Sequence, residues 1–369
     1  MRTLIRDVRL FDGHRVVPRA DVLVDGPLIA EPGGRCDVEV DGRGRTLLPG
    51  LIDGHTHTFD GSLAAALAAG VTTELDMFCL PGNLARQRAL AASRDDVADL
   101  RSAGVLATAP GGHPSQLLAS SGDEFGDAAR PFETVADVAQ ARAFVAARAA
   151  ERVDYLKVVI DDGAVHGTTL PTLAPEVVEA LVDAAHGHGL KVIAHAITAQ
   201  EVGIAVDAGV DGLAHVWCDA GDDLVGWVAQ RGVFVVSTLV YFESITGRTP
   251  SVDHAAHGGF EHALHAARVL HEAGVPIVAG TDANPWAPQH GVGLHRELEL
   301  LTAAGLTPLE ALAAATSAPA VHFGLADRGR VEPGLRADLL LVDGDPTTDI
   351  TAIGAVTDVW RRGVRTTRP

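Results

Sequence analysis

Lysine is almost missing from this chain. Of its 29 basic residues only Lys157 and Lys191 are lysine, and the rest are arginine. Arginine keeps its proton in a protein whereas lysine can lose it, so only two positions offer a basic side chain that can become a neutral amine. Basic charge is scarce altogether: 48 acidic residues bring the formal net charge to -19. Such a chain repels nucleic-acid phosphate and anionic lipid surfaces, so neither nucleic acid nor a membrane is expected as a partner. The three cysteines, Cys36, Cys79 and Cys218, lie far apart with no C-x-x-C pair, which speaks for reduced, buried thiols and against a disulfide frame. No apolar run is long enough to span a bilayer, and the first residues carry no apolar signal core, so a soluble, cytoplasmic protein is expected. No G-x-G-x-x-G follows any strand-like run, which argues against a doubly wound dinucleotide fold.

Apolar residues are plentiful. At 369 residues and 47% apolar the chain can bury a large core. The stretch that organises it is Leu48-Pro49-Gly50-Leu51-Ile52-Asp53-Gly54-His55-Thr56-His57. It reads as a short buried strand, and alternation sets His55 and His57 on one face, about 6.5–7 Å apart. A metal ion between them would take one imidazole nitrogen from each.

Residues before this stretch form short β runs closed by Asp-Gly turns, and a matching β segment ends the chain. The two are expected to make one small discontinuous β-sandwich domain, residues 1–50 and 331–369. The middle, 51–330, alternates strands and Ala-rich helices about eight times. Strand candidates are Leu51–His57, Val71–Met77, Val105–Ala109, Tyr155–Asp161, Leu190–Ala196, Gly212–Val216, Val233–Val240 and Pro276–Thr281. Helix ends are marked by glycines such as Gly70, Gly189 and Gly274. This α/β pattern predicts a (β/α)8 TIM barrel.

Barrel sites lie at the carboxyl ends of the strands. Those ends carry His55, His57, Lys157, His195, His215 and Asp282. Burying this set together with no metal leaves unpaired polar groups worth several kcal/mol. The loops beyond add candidate substrate contacts at His113, His166, Tyr241 and His290. The long Gly- and Ser-rich loop 111–132 reads as a lid. Lys191 begins a strand at the opposite end and reads as solvated, and an ion pair with Asp161 or Asp162 is the bland alternative for Lys157. His254, His257, His262, His265 and His271 read as a solvated outer face.

These motifs resemble the amidohydrolase superfamily over nearly the whole chain, through Pro49 to His57, Lys157 in Tyr155-Leu156-Lys157-Val158, His195, His215, Asp282 in Thr281-Asp282, and the closing Pro333-Gly334-Leu335-Arg336-Ala337-Asp338. The resemblance implies a binuclear hydrolase in which His55, His57 and Asp282 hold one divalent ion and His195 and His215 the other. It further implies a Lys157 carboxylated by CO2 as the bridge. Chemistry agrees: an ammonium repels both ions, while a carbamate spans two metals about 3.5–4 Å apart. Zn2+ is the expected metal, although Co, Mn and Fe suit the same donors. Hydroxide from a bridging water would attack a carbonyl carbon, with Asp282 as general base and then acid on a leaving nitrogen. The likeness is to the Xaa-Pro dipeptidase-like and imidazolonepropionase-like branch. Lys157 argues against mononuclear imidazolonepropionases, and Thr198 stands where deaminases carry Glu. The expected substrate is a small molecule with an amide, peptide-like or cyclic amide bond. A lactonase on the same metals, or a metal-binding barrel without turnover, is the alternative, and a homo-oligomer stays open. Arg130 and Arg248 are loose candidates for holding a substrate carboxylate.

Overall fold

The computed structural model describes residues 1–116, 132–248 and 254–367. Most of the loop read as a lid, Arg130 included, lies outside the described residues.

The chain opens with β1 (Arg2–Phe11), β2 (Val16–Asp25), β3 (Leu28–Ala30), β4 (Val38–Asp41) and β5 (Arg45–Pro49). Alternation in β1, shifted by an irregularity at Asp7 between Ile5 and Val8, turns Ile5, Val8 and Leu10 into a core shared with Val22, Leu47 and Trp360. Next come β6 (Leu51–Thr56), β7 (Val71–Asp76), β8 (Asp99–Ser102) and β9 (Leu156–Val159), then β10 (Val192–His195), β11 (Gly212–Leu213), β12 (Phe234–Val236) and β13 (Ile277–Val278). Helices separate them, among them Pro175–Gly187, which runs Val177, Val178, Leu181 and Val182 along its buried face. The chain closes with β14 (Leu339–Asp343), β15 (Val356–Arg361) and β16 (Val364–Thr367).

Both termini build one sheet, in the order β16-β15-β14-β5-β1-β2-β3, with β4 paired to β1. Its seam is the antiparallel pairing of β5 with β14, from Arg45 opposite Asp343 to Pro49 opposite Leu339. Gly50 then turns the chain directly into β6, its N–H donating to Asp338 O at 2.8 Å. The central strands form two parallel sheets, β6-β7-β8 and β9-β10-β11-β12-β13. Main-chain hydrogen bonds link them on both sides. Gly54 N–H meets Ala279 O at 2.9 Å, and Ala107 N–H meets Lys157 O at 2.9 Å. Of these strands, β6, β7 and β9 are buried on both faces, as parallel strands under covering helices are, while β8 leaves Asp99 and Arg101 half-buried. The fold is TIM-barrel-like, with Ile52, Leu75, Tyr155, Ile193, Phe234 and Val278 packed in one cluster inside.

Two strands differ from expectation. The third is Asp99–Ser102, because that run pairs in register with β7 from Thr73 to Asp76. Gly104, at φ +65°, turns the chain there, and Ala107 then adds a single parallel bridge to Val158. The seventh ends at Val236, because Thr238 takes a left-handed backbone (φ +47°) and Leu239–Ile245 is helical. Tyr241 therefore stands on a helix. No helix among the described residues is long and apolar enough to cross a membrane.

Candidate metal centre

The six strand-end residues converge. His55 Nε2 lies 3.1 Å and His57 Nε2 2.8 Å from Asp282 Oδ1. His215 Nε2 lies 2.9 Å from His195 Nδ1. The His55 and His215 rings are 4.8 Å apart, centroid to centroid, which joins the two groups. Lys157, on β9, is buried beside them, and its Nζ has no hydrogen-bond partner among the described residues.

The orientation of His55 decides what the group is for. Its Nδ1 sits 3.1 Å from the carbonyl oxygen of Ala214, which can only accept, so Nδ1 carries the proton. Burial pushes the ring well below the usual histidine range, so it stays neutral and Nε2 holds a lone pair. Asp282 remains a carboxylate: desolvation would raise it, but the His57 hydrogen bond and the Lys157 charge oppose that and hold it below the usual range. A lone pair therefore faces a carboxylate oxygen at 3.1 Å. Two buried acceptors at that distance repel unless a cation lies between them. The donor set of imidazole and carboxylate suits a divalent transition ion. His55, His215 and Asp282 offer ligand atoms mutually within 4.8 Å.

Backbone and buried carboxylates hold this geometry. Asp282 and Thr238 both take positive φ, +60° and +47°, a strain that neighbouring contacts must sustain. Thr238 Oγ1 meets His215 Nδ1 at 2.8 Å. The turn after Thr238 is clamped by Glu297, which accepts from Leu239 N–H at 3.0 Å, Val240 N–H at 2.7 Å and the Ser237 hydroxyl. Burial raises Glu297 to about 7. Asp53 accepts from Thr281 N–H and from the Thr281 hydroxyl, tying β6 to the Asp282 turn. Burial, with Glu74 nearby, raises Asp53 to about 8. Lys157 moves the other way, to about 7, chiefly by desolvation, so a large share of it is neutral amine at neutral pH.

The remaining residues singled out in the sequence fall in different places. His113 Nδ1 lies 3.0 Å from Asp161 Oδ2, and its ring stacks on His195 at 4.8 Å. His166 stacks on His113 at 6.1 Å. Tyr241 is buried with its ring 5.3 Å from His215. His290 is buried and turned to Glu74, 2.6 Å from its Oε1, with Phe59 at 5.1 Å. Lys157 is not paired with Asp161, whose carboxylate faces His113 and His195 instead. Lys191 packs over the Phe234 ring at 6.0 Å. The helix Phe260–Glu272 carries His262, His265 and His271 outside its buried face. Arg248 pairs with Glu261. Asp161, Glu297, Glu74 and Asp53 were not read from the sequence as parts of the site. For Glu297 a signal exists, a carboxylate on the apolar stripe Leu294, Leu298 and Leu301.

Comparison with known proteins identifies the family. The amidohydrolase family model matches residues 46–366. An uncharacterised protein of Mycobacterium bovis is 30% identical over 343 residues, covering 88% of this chain and 85% of its own. An imidazolonepropionase of Anaeromyxobacter dehalogenans is 29% identical, covering 88% and 84% respectively. The solved structure of a Xaa-Pro dipeptidase with methionine bound in its active site superposes over 100% of both chains, with a TM-score of 0.84 and 23% identity. At that identity the likeness speaks for the fold. The family match over most of the chain decides the rest: this protein belongs to the amidohydrolase family and is a hydrolase acting on carbon–nitrogen bonds.

Proposed function

We propose that this chain hydrolyses an amide, peptide-like or cyclic amide bond of a small molecule with two divalent ions. His55, His57 and Asp282 would hold one ion, His195 and His215 the other, and a carboxylated Lys157 would bridge them. The reading assumes a closed (β/α)8 barrel over 51–330 and a discontinuous β unit from 1–50 and 331–369. The observation that carries it is the neutral His55 Nε2 turned on the Asp282 carboxylate at 3.1 Å. The bridge is supported by the buried, unpartnered Lys157 Nζ and by its descent to about 7, since only a neutral amine takes up CO2.

Bound ions of this kind polarise a carbonyl and lower the pKa of water. The chain's own residues do the rest. The Asp282 carboxylate takes a proton from the attacking water and returns it to the leaving nitrogen. His57 is partly exposed beside a cleft lined by Phe59, Phe78, Leu80, Asn83 and Pro285, an apolar wall for one side of a substrate. His113 and Tyr241 stand near enough to His195 and His215 to contact the other side.

Metal analysis of protein purified without chelator is expected to give about two divalent ions per chain. The loaded protein should turn over at least one class in a screen of N-acyl amino acids, dipeptides, cyclic amides and lactones. One ion per chain moves the reading to a mononuclear site, and cleavage of lactones alone moves it to an esterase.

A further inference from the structure

His195 has two occupied ring edges. On one, Nδ1 faces His215 Nε2 at 2.9 Å, toward the other candidate ligands. On the opposite edge, Nε2 faces Asp161 Oδ2 at 3.5 Å. Asp161 follows β9 and lies four residues after Lys157. Its Oδ1 is held by the Gly163 N–H at 2.7 Å, which fixes the carboxylate plane and leaves Oδ2 turned toward His113 and His195. His195 Nε2 and Asp161 Oδ2 are both buried, and Asp161 Oδ2 is shared between His195 Nε2 and His113 Nδ1.

An imidazole binds a cation through one nitrogen only if the proton sits on the other. The three buried histidines solve this with three different partners. For His55 it is a main-chain carbonyl, which no side-chain substitution removes. For His215 it is the Thr238 hydroxyl, which can donate or accept. For His195 it is a carboxylate, which accepts only. We propose that Asp161 is a positioning residue that keeps the His195 proton on Nε2 and so turns the Nδ1 lone pair toward the cation site. The same oxygen holds His113 at 3.0 Å, so one carboxylate sets a ligand and a rim residue together. The hydrogen-bond chain is consistent without metal too. The Thr238 hydroxyl donates to His215 Nδ1, His215 Nε2–H donates to His195 Nδ1, and His195 Nε2–H points at Asp161. Asp161 thus prepares His195 before any ion arrives.

This inference rests on the metal-dependent reading above, yet part of its test does not. In metal-free protein with 15N-labelled histidine, long-range 1H–15N spectra report which ring nitrogen carries the proton. Wild type should show His195 as the Nε2–H form. Asp161→Leu, close in shape but without an acceptor, and Asp161→Ala should both lose that form. Asp161→Asn, whose amide oxygen still accepts, should keep it. In Zn2+ or Co2+ titrations the Leu and Ala variants should bind the second ion about 10–100-fold more weakly, with Asn closer to wild type. Two apolar variants are made so that one that fails to fold leaves the other. An unchanged His195 tautomer in a folded Leu or Ala variant overturns the proposal. So does a third ion in wild type that these variants lose, since Asp161, His113 and His195 would then be ligands themselves. Wild type that binds no divalent ion sinks the hydrolase reading, while the tautomer comparison still decides the role of Asp161.

Discussion

At the level of single residues, Lys157 combines the two properties that matter most. It is buried, and its amine stands among donors rather than against a carboxylate partner. A lysine brought from its ordinary 10.5 to about 7 by burial binds fewer protons folded than unfolded between those values. Stability of the metal-free protein therefore rises with pH from about 7 toward 10, and below that window the full penalty of burying the charge applies. Lys157→Met removes the penalty. Metal-free Lys157→Met should be about 2–5 kcal/mol more stable than wild type at pH 7 in denaturant unfolding, and its pH dependence should flatten. Turnover should vanish, because a thioether cannot carry a carbamate. Lys157→Ala should regain some activity with added formate or acetate, which fit the space and supply the missing carboxylate. A Met variant that is less stable yet active would show that the lysine serves packing alone. The sequence made this residue legible because it is one of only two lysines and lies within a buried apolar run. Asp161 and Glu74 were not legible, and Glu297 showed only as a carboxylate on an apolar stripe, since a carboxylate's meaning depends on its partner. Glu74 meets His290 across 216 residues and Glu297 meets Ser237 across 60, distances that no local pattern spans. For the same reason His290, read as a rim residue, is found behind the site against Glu74.

At the level of elements, the strand ends were readable because each is an apolar run stopped by a polar residue and a turn. The limits failed where tertiary pairing overrode the run, as in β8, or where one strained residue stopped a strand, as at Thr238. The β6 strand carries the tightest constraint. A Cβ on Gly54 would lie 2.6 Å from Val278 Cγ1 and 2.8 Å from Ala279 O, the oxygen that Gly54 N–H already binds. Side chain and backbone are both in the way, and the next residue is His55. Gly54→Ala should destabilise the protein by about 1–3 kcal/mol and displace His55, lowering metal content per folded chain. Gly226 is the control. It lies inside the helix Val225–Arg231, and nothing stands within 4 Å of its added Cβ. Gly226→Ala should be stabilising by about 0.5–1 kcal/mol and leave metal content unchanged. Equal effects of the two substitutions would mean that the β6 contact is not restrictive.

At the level of the whole molecule, one carboxylate gathers three arginines at the joint between the barrel strands and the terminal sheet. Asp99, on β8, lies 2.6 Å from Arg328 Nη1, 2.8 Å from Arg336 Nη1 and 3.3 Å from Arg361 Nη2. All three arginines come from the chain after β13, the last barrel strand, and Arg328 and Arg361 are buried. Desolvation would raise the Asp99 carboxyl, but Arg328, Arg336 and Arg101 outweigh it and hold it well below the usual range. Its contribution to stability is therefore present above the ordinary carboxylate pKa and fades as pH falls below it. Nothing in the sequence announced this node, because arginines in a chain with almost no lysine carry no positional signal. Removing one partner of a buried ion cluster strands the others, which destabilises by about 3–5 kcal/mol. Asp99→Ala should show a loss of that size at pH 7, and the gap to wild type should narrow as the solution is acidified. His55, His57, His195, His215 and Asp282 sit at or beyond the carboxyl ends of their strands, and Lys157 lies within β9, whereas Asp99 is the first residue of β8. Metal content per folded chain should therefore stay at the wild-type value. If metal is lost along with stability, the terminal sheet shapes the site through β8 rather than only holding the barrel together.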